Sequence, residues 1–134
     1  DGAVELKSKV TGIQLMLDES IHTVKDAARV CRANAADILN IKLMKCGGLY
    51  RGGQISTMAE NFGMTCMVGC MLESKIAITA GLSLVASKKN ITEADCDSFM
   101  YYKDADTDMP GGFERTGDMF RLLDKPGLGL EISF

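Results

Sequence analysis

The sequence predicts an α/β fold in which strand and helix units follow one another along a parallel sheet, as in a β/α barrel. Short apolar runs alternate with longer amphipathic stretches, the pattern of βαβ units. The strand-like runs end at Asp18, Lys42, Cys70 and Asp97, which stand 24, 28 and 27 residues apart. A repeat this even suits consecutive barrel units, although a doubly wound sheet has the same spacing. Beyond Asp97 the alternation stops and a turn-rich tail begins.

Ile13-Gln14-Leu15-Met16-Leu17 reads as the first strand, ending at Asp18. Ser20 is placed to cap a helix from Ile21 to Ala33 with Val24, Ala27, Ala28 and Cys31 on one face. Asp37 to Leu43 reads as the second strand, and Gly47 and Gly48 punctuate a loop after it. Tyr50 to Phe62 reads as a helix with Ile55, Met58, Ala59 and Phe62 spaced for burial, stopped by Gly63. Met64 to Cys70 is the third strand, Glu73 to Lys88 a helix buried on more than one side, and Glu93 to Asp97 a short fourth strand. Asp104, Asp106 and Asp108 fall in a polar loop closed by Met109-Pro110-Gly111-Gly112. Phe113 to Phe134 reads as irregular structure with short strands. The expected division is a body of four units, residues 1–98, and an extension, residues 99–134, that packs back on it.

With 134 residues the chain can bury one core. Its formal net charge is −3 with both signs interspersed, which excludes a nucleic-acid surface, since that needs a basic face. No apolar stretch is long enough to span a bilayer and no signal peptide is visible, so no membrane partner is expected. The five cysteines are odd in number, lack a C-x-x-C pair, and are accompanied only by His22, which argues against a disulfide framework or a zinc site. Cys66 and Cys70, four apart on a strand, are expected on one side as small buried hydrophobes. Reduced thiols imply a cytoplasmic protein. The start, Asp1-Gly2-Ala3-Val4, has no initiator methionine, so it is not expected to be a natural beginning.

Strand alternation says which side chains share a face. Gln14, Met16 and Asp18 share one, as do Asn40 and Lys42, and Asp95 and Asp97, each opposite an apolar set. Every polar set therefore ends in an ionisable group at the C-terminal end of its strand, and in a barrel those ends converge on one mouth. A carboxylate and a lysine there suit a metal ion and a proton acceptor. Taken one at a time, the same residues read equally well as a helix cap at Asp18 and a salt bridge to Lys42.

Met16-Leu17-Asp18-Glu19-Ser20 and Asn40-Ile41-Lys42-Leu43-Met44-Lys45-Cys46-Gly47-Gly48 resemble the fifth and sixth barrel strands of the muconate-lactonizing and mandelate-racemase branch of the enolase superfamily. Cys66 to Ser74 resembles its seventh strand and following loop, and Asp95-Cys96-Asp97 the D-x-D that marks dipeptide epimerases of the L-Ala-D/L-Glu type. The resemblance runs from Leu15 to Leu130 and implies the C-terminal half of a (β/α)8 TIM barrel, strands five to eight, followed by an irregular tail that packs on the barrel or on a capping domain. It implies that Asp18 is a ligand of an essential Mg2+ and that Lys42 is one of two lysines moving a proton at the substrate α-carbon through an enediolate. That lysine and Mg2+ arrangement is a standard example for this superfamily. A lowered Lys42 pKa is expected beside the cation. Asp95 and Asp97 would hold the α-ammonium of a dipeptide, with Cys70, Met71 and Glu73 lining the pocket.

The family's second lysine, its two earlier metal carboxylates and the capping domain have no counterpart in these residues, and neither Lys9 nor Lys45 reads as a replacement base. The Mg2+ site is thus expected to be incomplete in this chain alone. The main expectation is a fragment of a Mg2+-dependent isomerase that epimerises dipeptides. Muconate cycloisomerase, o-succinylbenzoate synthase or N-acylamino-acid racemase relatives are alternatives on the same scaffold. A different class of reading is an inactive half-barrel that self-associates through its two open sheet edges as a homo-oligomer.

Overall fold

Four strands pair side by side, all parallel and in chain order: β1 (Met16–Leu17), β2 (Ile38–Lys42), β3 (Thr65–Gly69) and β4 (Ile91–Ala94). The computed structural model describes residues 2–102 and 109–132. The acidic run at Asp104, Asp106 and Asp108 lies outside the described residues. Helix α1 (Gly2–Lys9) precedes the sheet, α2 (Val24–Arg32) joins β1 to β2, and α5 (Lys75–Ser87) joins β3 to β4. Between β2 and β3 lie a short helix α3 (Leu43–Cys46) and the longer α4 (Leu49–Asn61). The strand order never reverses within this sheet, so the progression is that of a barrel and not of a doubly wound sheet.

Local chemistry sets these boundaries. Helix α2 begins one turn later than the Ser20 cap expected from sequence. Thr23 is its N-cap, accepting from the Asp26 backbone N–H at 3.2 Å, while the Asp26 carboxylate accepts from the Thr23 backbone N–H at 2.9 Å. That reciprocal pair satisfies two donors at once, which Ser20 does not do. Gly47 ends α3 in the left-handed region, φ 88°, where a side chain would be strained. Strand β4 ends at Ala94, three residues before the expected end, so Asp95-Cys96-Asp97 lies beyond it. The Asp95 N–H still donates to the Val68 carbonyl at 2.8 Å, which fixes the start of that segment against β3.

One face of the sheet carries Leu39, Ile41, Cys66 and Val68, all fully buried and merged with the buried faces of α2, α4 and α5 into a single core. Burial of such side chains contributes on the order of 2 kcal/mol each. By strand alternation and register, the opposite face carries Met16, Asn40, Lys42 and Met67. The tail forms a 3-10 turn (Ser98–Tyr101) and an antiparallel hairpin of β5 (Phe113–Thr116) and β6 (Met119–Leu122). Phe99, Phe113 and Phe120 meet edge to face, with centroids 5.1, 6.2 and 5.3 Å apart, and Phe99 and Phe113 belong to the main core. No helix among the described residues is long and apolar enough to cross a membrane.

Candidate active site at the strand tips

Because the strands are parallel, their last residues emerge on one side. Asp18 follows β1, Lys42 closes β2, Cys70 follows β3, and Asp95 and Asp97 follow β4. The Lys42 ammonium lies 2.9 Å from Asp18 Oδ2 and 3.2 Å from Glu19 Oε1. The Lys45 ammonium lies 2.5 Å from Asp18 Oδ1, and it also donates to the Asp18 backbone carbonyl at 2.6 Å. Asp18 therefore sits between two ammonium groups, one on each carboxylate oxygen.

Burial acts to raise the Asp18 pKa, but hydrogen bonds from Lys45 and Lys42, together with their charges, outweigh it and hold the carboxyl below its usual range. The hydrogen bond to Asp18 holds the Lys42 ammonium above its ordinary value; burial opposes this, and Glu19 adds to it. The lowering expected from sequence is for Lys42 beside a bound Mg2+, a different balance of charges from this one. Two carboxylates face the amine here, and they favour its charged form.

Two strands away lies a second group. Ligand-bearing atoms of Cys70, Asp95 and Asp97 fall within 4.8 Å of one another, and the Cys70 thiol is 3.9 Å from Asp97 Oδ1. Both carboxylates are exposed. Cys70 lies past the end of β3 and is half-buried, whereas Cys66 is fully buried in the helix-facing core. The expectation of two equivalent buried cysteines thus holds for Cys66 alone. Glu73 is 3% exposed, and its carboxylate accepts from the Met71 N–H at 3.1 Å. Its backbone N–H donates to Ser98 Oγ at 3.0 Å, which ties the loop after β3 to the segment after β4. Glu73 braces that loop, and the Met71 side chain is left 40% exposed beside Cys70.

Gly69 separates the two groups. It pairs with Lys42 across β2 and β3, and a Cβ placed on it would come 2.6 Å from Asn40 Oδ1. The Asn40 carboxamide thus lies over Gly69 at the level of Lys42, 4% exposed, with its Oδ1 unpartnered among the described residues. Adjacent strands lie about 4.8 Å apart, so β2 and β4 are separated by roughly 10 Å. Side chains reaching inward from Lys42 and Asp97 can approach the two ends of a small molecule across that gap. A cavity of about 720 Å³ lies elsewhere, among the helices at Val24, Tyr50, Thr57, Met58 and Ser87, away from these charges.

The family model for enolase C-terminal domain-like proteins matches residues 1–134. The chain belongs to that family. An L-Ala-D/L-Glu epimerase of Clostridium acetobutylicum is 45% identical over 120 residues, covering 89% of this chain and 33% of that protein. An N-succinyl-L-Arg/Lys racemase of Bacillus cereus is 37% identical over 134 residues, covering 99% of this chain and 35% of its own length. A dipeptide epimerase from Enterococcus faecalis, solved with Mg and the dipeptide L-Leu-L-Tyr, superposes with a TM-score of 0.89 at 37% identity, covering 96% of this chain and 36% of that one. The chain thus spans about a third of the length of the curated relatives it matches. As a member of the enolase C-terminal domain-like family it is similar to TIM-barrel isomerases, and its four parallel strands form the corresponding part of a barrel wall.

Sequence reasoning missed Lys45 as a member of the site. Read as strand, positions 42 and 45 fall on opposite faces, being an odd number apart. Read as the first turn of a helix, they fall on the same side. The K-x-x-K spacing was the signal, and the four-residue helix α3 is what turns Lys45 inward.

Proposed function

We propose that the protein carrying this chain is a Mg2+-dependent isomerase that epimerises dipeptides of the L-Ala-D/L-Glu type by proton transfer at an α-carbon. The observation that carries this reading is the pairing of two groups on one side of the sheet, Asp18 with Lys42 and Cys70 with Asp95 and Asp97. Paired exposed carboxylates favour an ammonium through charge-assisted hydrogen bonds. Successive Cα atoms stand 3.8 Å apart, so the ammonium of a dipeptide lies roughly 5 Å from its second α-carbon. An ammonium held at Asp95 and Asp97 thereby leaves that α-carbon within reach of a lysine approaching from β2. Lys42 exchanges the proton on the face it approaches. Glu73 and Ser98 hold the loop that presents Cys70 and Met71 to the dipeptide.

Asp18 fits one corner of a Mg2+ site. It offers hard carboxylate oxygens in a place that already draws two ammonium groups, with Glu19 beside it. Mg2+ bound there would draw negative charge away from the substrate carboxylate and so ease loss of the α-proton. Lys42 must leave Asp18 and give up one ammonium proton to solvent before its neutral amine can accept the α-proton, and its present contacts with Asp18 and Glu19 define the resting arrangement. Muconate cycloisomerase or N-acylamino-acid racemase chemistry would leave Asp95 and Asp97 without a free ammonium to bind, so the dipeptide reading is preferred. The strand edges at β1 and β4 are open to further strands, and we expect these to come from the same protein, with association of copies secondary. The five free thiols suit a cytoplasmic setting.

The test is epimerisation of L-Ala-D-Glu and related dipeptides by the whole protein. Turnover that Asp97→Ala reduces at least tenfold through KM supports the reading. Failure to turn over any dipeptide with a free N-terminal amine, alongside turnover of N-acylated amino acids, contradicts it.

A further inference from the structure

We propose that Lys45 is a positioning residue for this reaction: it fixes the Asp18 carboxylate so that one oxygen faces Lys42 and the strand tips. The inference rests on the isomerase reading above and concerns a residue to which that reading gives no part. Lys45 is the more deeply placed of the two amines, its side chain 4% exposed against 13% for Lys42. It holds Asp18 at two points, the carboxylate Oδ1 and the backbone carbonyl. Two contacts from one ammonium lock both the turn after β1 and the rotation of the carboxylate. Oδ2 is what remains for Lys42, at 2.9 Å.

The division between the amines follows from where each is attached. Lys42 stands on the last residue of β2 and is the N-cap of α3, at the edge of the open side. Lys45 stands one turn further along α3, whose neighbours Leu43 and Cys46 are buried, so its backbone is anchored by packing. A buried ammonium with two oxygen partners is costly to release, because it would lose paired contacts in a poorly solvated place. Lys42, more exposed, can be drawn away when substrate arrives. Without Lys45 both oxygens of Asp18 become available to Lys42 and the carboxylate is free to turn, so Lys42 is held in the resting pair and Asp18 presents no fixed oxygen to a metal ion. Residues that orient a metal ligand in this way typically alter metal affinity or activity by 10- to 100-fold when removed.

The experiment compares wild type, Lys45→Met, Lys45→Gln and Lys45→Arg in the protein carrying this chain. Binding of Mg2+ alone is measured by calorimetry, and kcat and KM are measured with L-Ala-D-Glu. Lys45→Met and Lys45→Gln are expected to weaken Mg2+ binding and lower kcat by roughly 10-fold or more, with KM for the dipeptide within twofold of wild type. Lys45→Arg, which keeps the cation, recovers most of both. If Lys45→Met does not fold, Lys45→Gln carries the same expectation, since its amide can still donate to the Asp18 carbonyl. Wild-type Mg2+ affinity and kcat in either variant, with only the melting temperature lowered, would show that Lys45 merely holds the fold and overturn the proposal. A wild-type protein that turns over no dipeptide contradicts the isomerase reading instead, and the Mg2+ titration then still decides the role of Lys45.

Discussion

Replacing Gly69 with alanine probes the contact that separates the two halves of the site. The added Cβ would lie 2.6 Å from Asn40 Oδ1, 2.9 Å from Nδ2 and 3.2 Å from Cγ. Ordinary contact begins near 3.4 Å, so the carboxamide must move by roughly 0.8 Å. Asn40 is 4% exposed and sits on a strand paired on both sides, which leaves its short side chain little room to yield. Overpacking of this kind costs about 1–3 kcal/mol, against a gain of about 0.5–1 kcal/mol for alanine over glycine in a strand. The expected net loss is about 1–2 kcal/mol, read as a lowered urea midpoint at unchanged slope. In an Asn40→Ala background the obstruction is gone, and Gly69→Ala should then be neutral or mildly stabilising. The coupling energy from this cycle is expected to be about 1 kcal/mol or more. Equal effects of Gly69→Ala in both backgrounds would mean that the carboxamide does not lie over Gly69, and the argument for the layer containing Lys42 would fall with it.

Two further expectations follow from the frame around the site. Thr23→Ala removes the hydroxyl that accepts from the Asp26 N–H, leaving the backbone N–H of residue 23 on the Asp26 carboxylate, and should cost about 1 kcal/mol, whereas Ser20→Ala should stay within about 0.5 kcal/mol; thermal or urea melts of the two variants, with the larger loss at Ser20, would contradict the cap assignment. Asp37 is held below its ordinary value of 3.8 by the backbone N–H of Leu15 and then by the Lys7 side chain, and Asp26 likewise by Thr23. A depressed carboxyl contributes stability that is complete above the unfolded value and is lost as pH falls through the folded one. These two groups should therefore leave stability flat from pH 7 to about pH 5 and lower it progressively below that, through the unfolded value of 3.8 and on towards the folded ones. Asp37→Asn should lower the denaturation midpoint at pH 7 and soften that acid decline, and an unchanged acid slope would count against it.

Much of the architecture was legible because β2 carries one apolar face and ends in a charge, and β1 runs directly into another at Asp18. Leu39 and Ile41 against Asn40 and Lys42 is a pattern that period-two alternation reads directly, and the structure buries the first pair in the helix layer. Less legible were features decided by competition between local choices. Ser20 and Thr23 are both good caps, and only the Thr23-x-x-Asp26 reciprocity separates them. The residues after β2 stay apolar through Leu43 and Met44, so nothing in composition marks the switch from strand to helix that swings Lys45 toward Asp18. Strand β4 has only Ile91 buried, and with its other residues exposed the alternation that would place its end is missing.

In the proposed reaction Lys42 exchanges the α-proton of a dipeptide whose ammonium rests on Asp95 and Asp97. Incubating the protein carrying this chain with L-Ala-L-Glu and Mg2+ in D2O, and following the glutamyl α-proton by NMR, tests it directly. Wild type is expected to place deuterium at that position, and Lys42→Met to lose that exchange for one α-epimer. Exchange that persists unchanged for both epimers in Lys42→Met would contradict it.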